Sequence, residues 1–170
     1  MTRPAVGVYE MICGLAADTK LETPEGALTV KSVAGKAVAV FTREAGGRVR
    51  FRMLQDVRKV ADQQPVLKVS LENGQALRVT GEQVLYKQGM VEVRADALVV
   101  GDLLEPAFFF PAGYRFHDDH NGDARDSAYA WRVVKVEAAG SADIYTFSVN
   151  KTGNFFFTAG VLGKADGSAA

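Results

Sequence analysis

Apolar and polar residues alternate in short stretches along this chain, interrupted by Gly, Asn and Pro. Between Pro65 and Thr80, the positions Val66, Val69, Leu71, Leu77 and Val79 are apolar, and Asn73-Gly74 lies between the two halves. That pattern predicts a β-hairpin closed by a type I′ turn, with both turn residues at positive φ. Residues 38–41 and 48–53 flank Gly46-Gly47 and predict a second hairpin. In its outgoing arm Arg48, Arg50 and Arg52 alternate with Val49, Phe51 and Met53, so the arginines share one strand face. Residues 84–86 and 90–93 flank Lys87 to Gly89 as a third pair. Further short strands are predicted at 103–110, 131–136, 144–149 and 154–158, with Gly153 between the last two. No segment keeps a 3.6-residue period over a dozen residues, and the best helix candidate is short, Val93 to Leu98. The pattern is that of an all-β fold.

Composition narrows the function classes. The chain has 170 residues, 48% of them hydrophobic, enough for one globular domain with a true core. Twenty basic residues balance twenty acidic ones, so no global field draws in nucleic acid or an anionic membrane. Neither is expected as a partner. Cys13 is the only cysteine, which precludes an intramolecular disulfide and does not mark a secreted, stapled domain. No apolar run approaches the roughly 20 residues needed to span a bilayer. Glu10 interrupts the opening stretch, and Glu10-Met11-Ile12 before Cys13 is not a lipoprotein box, so no signal peptide is expected and the predicted location is cytoplasmic.

Three blocks carry a more specific signal. Near the N-terminus stands Gly14-Leu-Ala-Ala-Asp-Thr-Lys-Leu-Glu-Thr-Pro-Glu-Gly26. In the middle, Val79-Thr-Gly-Glu-Gln-Val-Leu-Tyr86 is followed by Gly89, Ala95 to Leu98 and Gly101-Asp102. The last is Ile144-Tyr-Thr-Phe-Ser-Val-Asn-Lys-Thr-Gly-Asn-Phe-Phe-Phe-Thr-Ala-Gly-Val-Leu-Gly-Lys-Ala165. In order and spacing the three resemble the Hint family, shared by inteins, hedgehog autoprocessing domains and bacterial intein-like domains. The resemblance implies a horseshoe-shaped all-β domain over 14–165, with its two ends brought together. Residues 1–13 would be a lead segment, 117–127 a loop at the family's insertion site and 166–170 a disordered tail. The residues kept from the family pattern are Asp18, Thr19, Pro24, Gly26, Gly101, Asp102, Tyr145 and Gly160.

The family's chemistry starts when a Cys or Ser side chain attacks the carbonyl of its own preceding peptide bond. A middle-block Thr and His act on that bond, the His protonating the departing nitrogen. At the far end a terminal Asn cyclises, assisted by a penultimate His and by another His earlier in the block. On this scheme the nucleophile position falls on Gly14, which has no side chain, and Cys13 lies one residue earlier. Thr80 matches the Thr. Gln83 replaces its His and can donate a hydrogen bond but cannot move a proton at neutral pH. Asn154 replaces the earlier His, Lys164 the penultimate His and Ala165 the terminal Asn. The resemblance thus implies a silent domain kept as a structural or binding module, with a protein as the partner to look for. The alternative is residual cleavage at Ile12-Cys13 through a Cys13 thioester, reached by a one-residue bulge in the first turn. Loss of the His costs that route about 100- to 10,000-fold. A lone cysteine is otherwise a small buried hydrophobe.

Other constellations add little. His117, Asp118, Asp119, His120, Asp123 and Asp126 are metal-ligand types, but their spacing fits neither an EF-hand loop nor a His-x-x-x-His pair, so a solvated loop and no metal are expected. The insertion region carries no endonuclease motif. Phe108 to Phe110 and Phe155 to Phe157 offer a sticky surface or core, with Phe109 and Phe156 facing the odd side; Trp131 reads as core. No cofactor loop is present. A DNA-associated module built on Arg48, Arg50 and Arg52 predicts salt-dependent binding, which a flat titration at low salt would exclude.

Overall fold

Leu15–Ala16 (β1) is only two residues long, yet it lies inside the main sheet between two other strands. A computed structural model describes residues 12–107, 115–117, 124–126 and 130–165, the two internal triplets through their backbone. After β1 comes a small hairpin, Lys20–Thr23 (β2) with Gly26–Thr29 (β3). A single helical turn, Val30–Val33 (α1), follows; the Thr29 side chain caps it by accepting from the Ser32 N–H, and Val30 and Val33 are buried. Four residues are too few to leave a period in the sequence.

Ala39–Arg43 (β4) pairs with the start of Val49–Leu71 (β5), and the end of β5 pairs with Ala76–Val79 (β6). Val84–Lys87 (β7) and Val91–Arg94 (β8) form the next hairpin, and Leu103–Leu104 (β9) joins β7. Arg115–His117 (β10) pairs with Ala124–Asp126 (β11), so the polar segment expected as an open loop begins and ends in a short ladder. Trp131–Val149 (β12) runs antiparallel to β5 for most of its length, and Asn154–Phe156 (β13) with Leu162–Lys164 (β14) close the order. The main sheet reads β13-β14-β7-β9-β12-β1-β6-β5-β4, with a direct β12–β5 pairing. The all-β expectation holds.

Several local expectations change. The Asn73-Gly74 turn is not type I′, because Gly74 alone has positive φ (84°). The Gly74 N–H donates to the Leu71 carbonyl and the Leu71 N–H to that of Gln75, a type I turn followed by a left-handed glycine bulge. Val93 to Leu98 is not an α-helix. It is the end of β8 followed by a 3-10 turn, Ala95–Ala97, held where the Ala95 N–H donates to the Gln83 carbonyl. The aromatic run 155–157 offers no sticky surface. Phe155 packs between Phe147 and Phe157, each at a centroid separation of 4.8 Å, and Phe156 on the opposite face stacks on Phe41 at 5.8 Å. A Cβ on Gly163 would stand 2.5 Å from Phe157 and 2.7 Å from Phe155, so this β14 position needs glycine for the rings to lie on its backbone. Phe108 to Phe110 lie outside the described residues, as do the side chains of His117 and Asp126, residues 118–123, residues 1–11 and the tail 166–170. Among the described residues no helix is long and apolar enough to cross a membrane.

Candidate functional site

The turn from Thr80 to Gln83 joins β6 to β7, and both strand ends of the domain are tied to it. Thr80 is buried because β6 pairs directly with β1, Leu15 opposite Val79. That register sets Thr80 against Gly14. The Gly14 N–H donates to Thr80 Oγ1 at 3.2 Å, and the Thr80 N–H donates to the Gly14 carbonyl at 3.0 Å. Three residues on, Gln83 is 3% exposed and donates from Nε2 to the Lys164 carbonyl at 2.8 Å and the Val84 carbonyl at 3.0 Å. Gly14 and the Lys164-Ala165 end therefore converge on one four-residue turn, and Cys13, Gly14, Thr80, Gln83 and Lys164 share one site. Asn154 is drawn in through β13, where it pairs with Lys164.

The site has the layout of a junction but little means of moving a proton. Position 14 is walled off. A Cβ there would lie 2.5 Å from Ile144 Cγ2 and 2.6 Å from the Tyr145 carbonyl oxygen. The Ile144-Tyr145 wall was not foreseen, although both residues belong to the last block. Cys13, partly buried, donates from Sγ to the Glu82 carbonyl at 3.3 Å. A carbonyl accepts from an S–H and offers nothing to a thiolate. Asp96, near Gly81, is bound to Arg94, whose guanidinium it pushes above its ordinary range, with the Cys13 thiol a minor contributor. The Lys164 ammonium reaches outward to Glu92 at 3.1 Å instead of into the junction. Among the described residues no three His, Cys, Asp or Glu gather as a metal site.

Asn154 is a structural amide. Its Oδ1 accepts the Arg43 N–H at 2.8 Å, and its Nδ2 donates to the Arg43 carbonyl at 2.9 Å. One side chain thus continues the ladder along the free edge of β4. Asn154→Ala would leave two buried backbone groups without partners, and a cost of about 2 kcal/mol is expected in denaturant unfolding. Asn154→His is expected to do no better, since a neutral imidazole cannot place a donor and an acceptor side by side.

The strand of arginines is partly neutralised. Arg50 and Arg52 both pair with Glu44, at 3.3 and 3.1 Å. The alternate residues are not core: Phe51 is 55% exposed, and Val49 and Met53 are also exposed.

No family model matches the sequence, and no curated protein does. Solved structures match closely in fold. A DnaB intein from Synechocystis sp. PCC 6803 superimposes with a TM-score of 0.69 at 11% identity, covering 91% of this chain and 99% of that one. A DnaX mini intein from Spirulina platensis gives 0.67 at 13% identity, over 90% and 99%. A bacterial intein-like domain from Clostridium thermocellum gives 0.63 at 18% identity, over 91% and 99%. At such identities the likeness is one of fold: the chain is built on the Hint fold of inteins and bacterial intein-like domains, without an endonuclease domain.

Proposed function

We propose that the chain, from Gly14 to Ala165, is a catalytically silent Hint domain serving as a structural or protein-binding module. The observation that carries this reading is the closed wall at position 14, where Ile144 and the Tyr145 carbonyl occupy the space a nucleophile's Cβ would need. Three further features support it. Gln83 spends its amide on two carbonyls, Lys164 faces Glu92, and Ala165 has no amide with which to cyclise. The lone cysteine supports a cytoplasmic setting. Pairing of Arg50 and Arg52 with Glu44 speaks against a DNA-binding face.

One observation favours a second reading. Cys13 Sγ does reach the junction turn, at the Glu82 carbonyl. Attack on the Ile12 carbonyl would break the Ile12-Cys13 bond, move the acyl group to sulfur and leave the Cys13 nitrogen to be protonated. Gln83 has no proton to give. With a tag fused ahead of Met1 and thiol or hydroxylamine added, a single intact mass is expected. A fragment ending at Ile12, absent from Cys13→Ala, would replace the silent reading with residual autoprocessing.

A further inference from the structure

Away from the junction, three turns surround a cavity of about 750 Å3: Glu44 to Gly47 after β4, Gln88 to Met90 after β7, and Lys151-Thr152 before β13. That volume lies within the usual range for small-molecule sites. Its charge is uneven once pairing is counted. Glu44 spends both carboxylate oxygens on Arg50 and Arg52. Glu105 spends its own on Arg43 Nη1 and the Gly89 N–H, each at 2.8 Å. Lys151, exposed at the rim, has no carboxylate partner among the described residues. The cavity is therefore left electropositive.

Two features of the wall point to a ligand. Tyr86 is only 8% exposed, yet its hydroxyl has no hydrogen-bond partner among the described residues. Tyr86 lines the cavity, so its hydroxyl is available to a ligand that enters. Burial, and secondarily the charge of Glu92, pushes this phenol above its ordinary range, so it is a donor at neutral pH. Lys151 also sits at φ 70° and Met90 at φ 64°, a left-handed conformation in which Gly or Asn is favoured. A long cation occupies a turn position that glycine would fill with less strain.

We propose that this cavity binds a small organic anion, a phosphate or carboxylate on an apolar body, whose oxyanion is taken by the Lys151 ammonium and the Tyr86 hydroxyl. The site is independent of the junction's silence, because neither residue acts on a splice bond.

The test is an amide-resolved NMR titration of the full chain with phenyl phosphate, benzoate, inorganic phosphate and, as the cationic control, benzylamine at matched ionic strength. Saturable shifts at Gly46, Gly89 and Thr152 are expected with phenyl phosphate or benzoate, and the tighter of the two identifies the head group. Weaker binding is expected for inorganic phosphate and none for benzylamine. Lys151→Glu should weaken binding by about tenfold or more, since it reverses the charge facing the oxyanion. Tyr86→Phe should weaken it by about three- to tenfold while leaving Tm unchanged, because the hydroxyl makes no hydrogen bond among the described residues. Lys151→Gly should raise Tm by roughly 2 °C or more and still lose about tenfold in affinity. No saturable shift with either organic anion, equal binding of benzylamine, or full affinity in Lys151→Glu would each overturn the proposal.

Discussion

Replacing Glu105 with alanine is expected to cost about 3–5 kcal/mol of unfolding free energy, near 10 °C or more in Tm, the largest effect of any single polar substitution in this domain. Arg43 and Glu105 are each 4% exposed and meet at 2.8 Å. Burial pushes the Arg43 guanidinium below its ordinary range, and the hydrogen bond and charge of Glu105 resist that shift. Without Glu105, the largely buried Arg43 cation loses its carboxylate, and the Gly89 N–H loses its acceptor as well. The pair as a whole is worth less than its rupture costs, because both charges were stripped of water to make it. The double replacement Arg43→Met with Glu105→Leu should therefore recover part of the loss. It should not recover all, since the Pro106 and Ala107 carbonyls lose the Arg43 donors. Urea unfolding of the single and double variants checks both statements. A single variant within 1 kcal/mol of the parent, by the magnitudes above, would show the pair to be hydrated in solution.

The hairpins are legible from sequence because their turns carry glycine at positions that need positive φ, as at Gly47, Gly74 and Gly89. Continuity of the long strands is not. β5 spans 23 residues and β12 spans 19, where the apolar pattern alone cuts each into two short strands. Their shared middle stretch slips register between Ala138 and Ser141, between Ala142 and Ile144 and again at Tyr145, with positive φ at Asp56, Gln63 and Gly140. Each slip swaps the faces, so a strict period of two cannot survive. Residues 55–64 are mostly exposed on both sides and leave no apolar stripe to read. Phe156 misleads for the opposite reason: both faces of β13 are covered, so alternation no longer separates inside from outside.

The candidate site divides along the same line. Which positions the resemblance to the Hint family singles out can be read residue by residue, because the blocks stand in order. What those residues do cannot, because Gln83 and Asn154 act through partners more than 80 residues away in sequence, Lys164 and Arg43. Both are amides that tie strand ends together. In the silent reading, the substitutions at 83 and 154 are then contributions to stability, not only losses of chemistry. Neither amide can be read as free to assist a reaction, since each is already engaged by backbone groups.

A nucleophile introduced at position 14 tests the wall directly. Gly14→Cys is expected to lower stability by about 3 kcal/mol and to give no hydroxylamine-sensitive product. Ile144 could turn its Cγ2 away, but the Tyr145 carbonyl belongs to β12, where Tyr145 pairs with Leu15 next to the altered residue. Relief of that contact must shift β1, and β1 also carries the pairing to β6 that positions Thr80. The group being introduced thus disturbs Thr80, which the Gly14 backbone holds. Gly14→Ala supplies the control: its Cβ meets the same two atoms, so it should lose nearly as much stability as Gly14→Cys. A large gap between the two would place the cost on the sulfur and not on the wall. Wild-type stability in Gly14→Cys, together with release of a fragment ending at Cys13, would mean that the wall yields in solution and that cleavage at this end needs only a nucleophile at position 14.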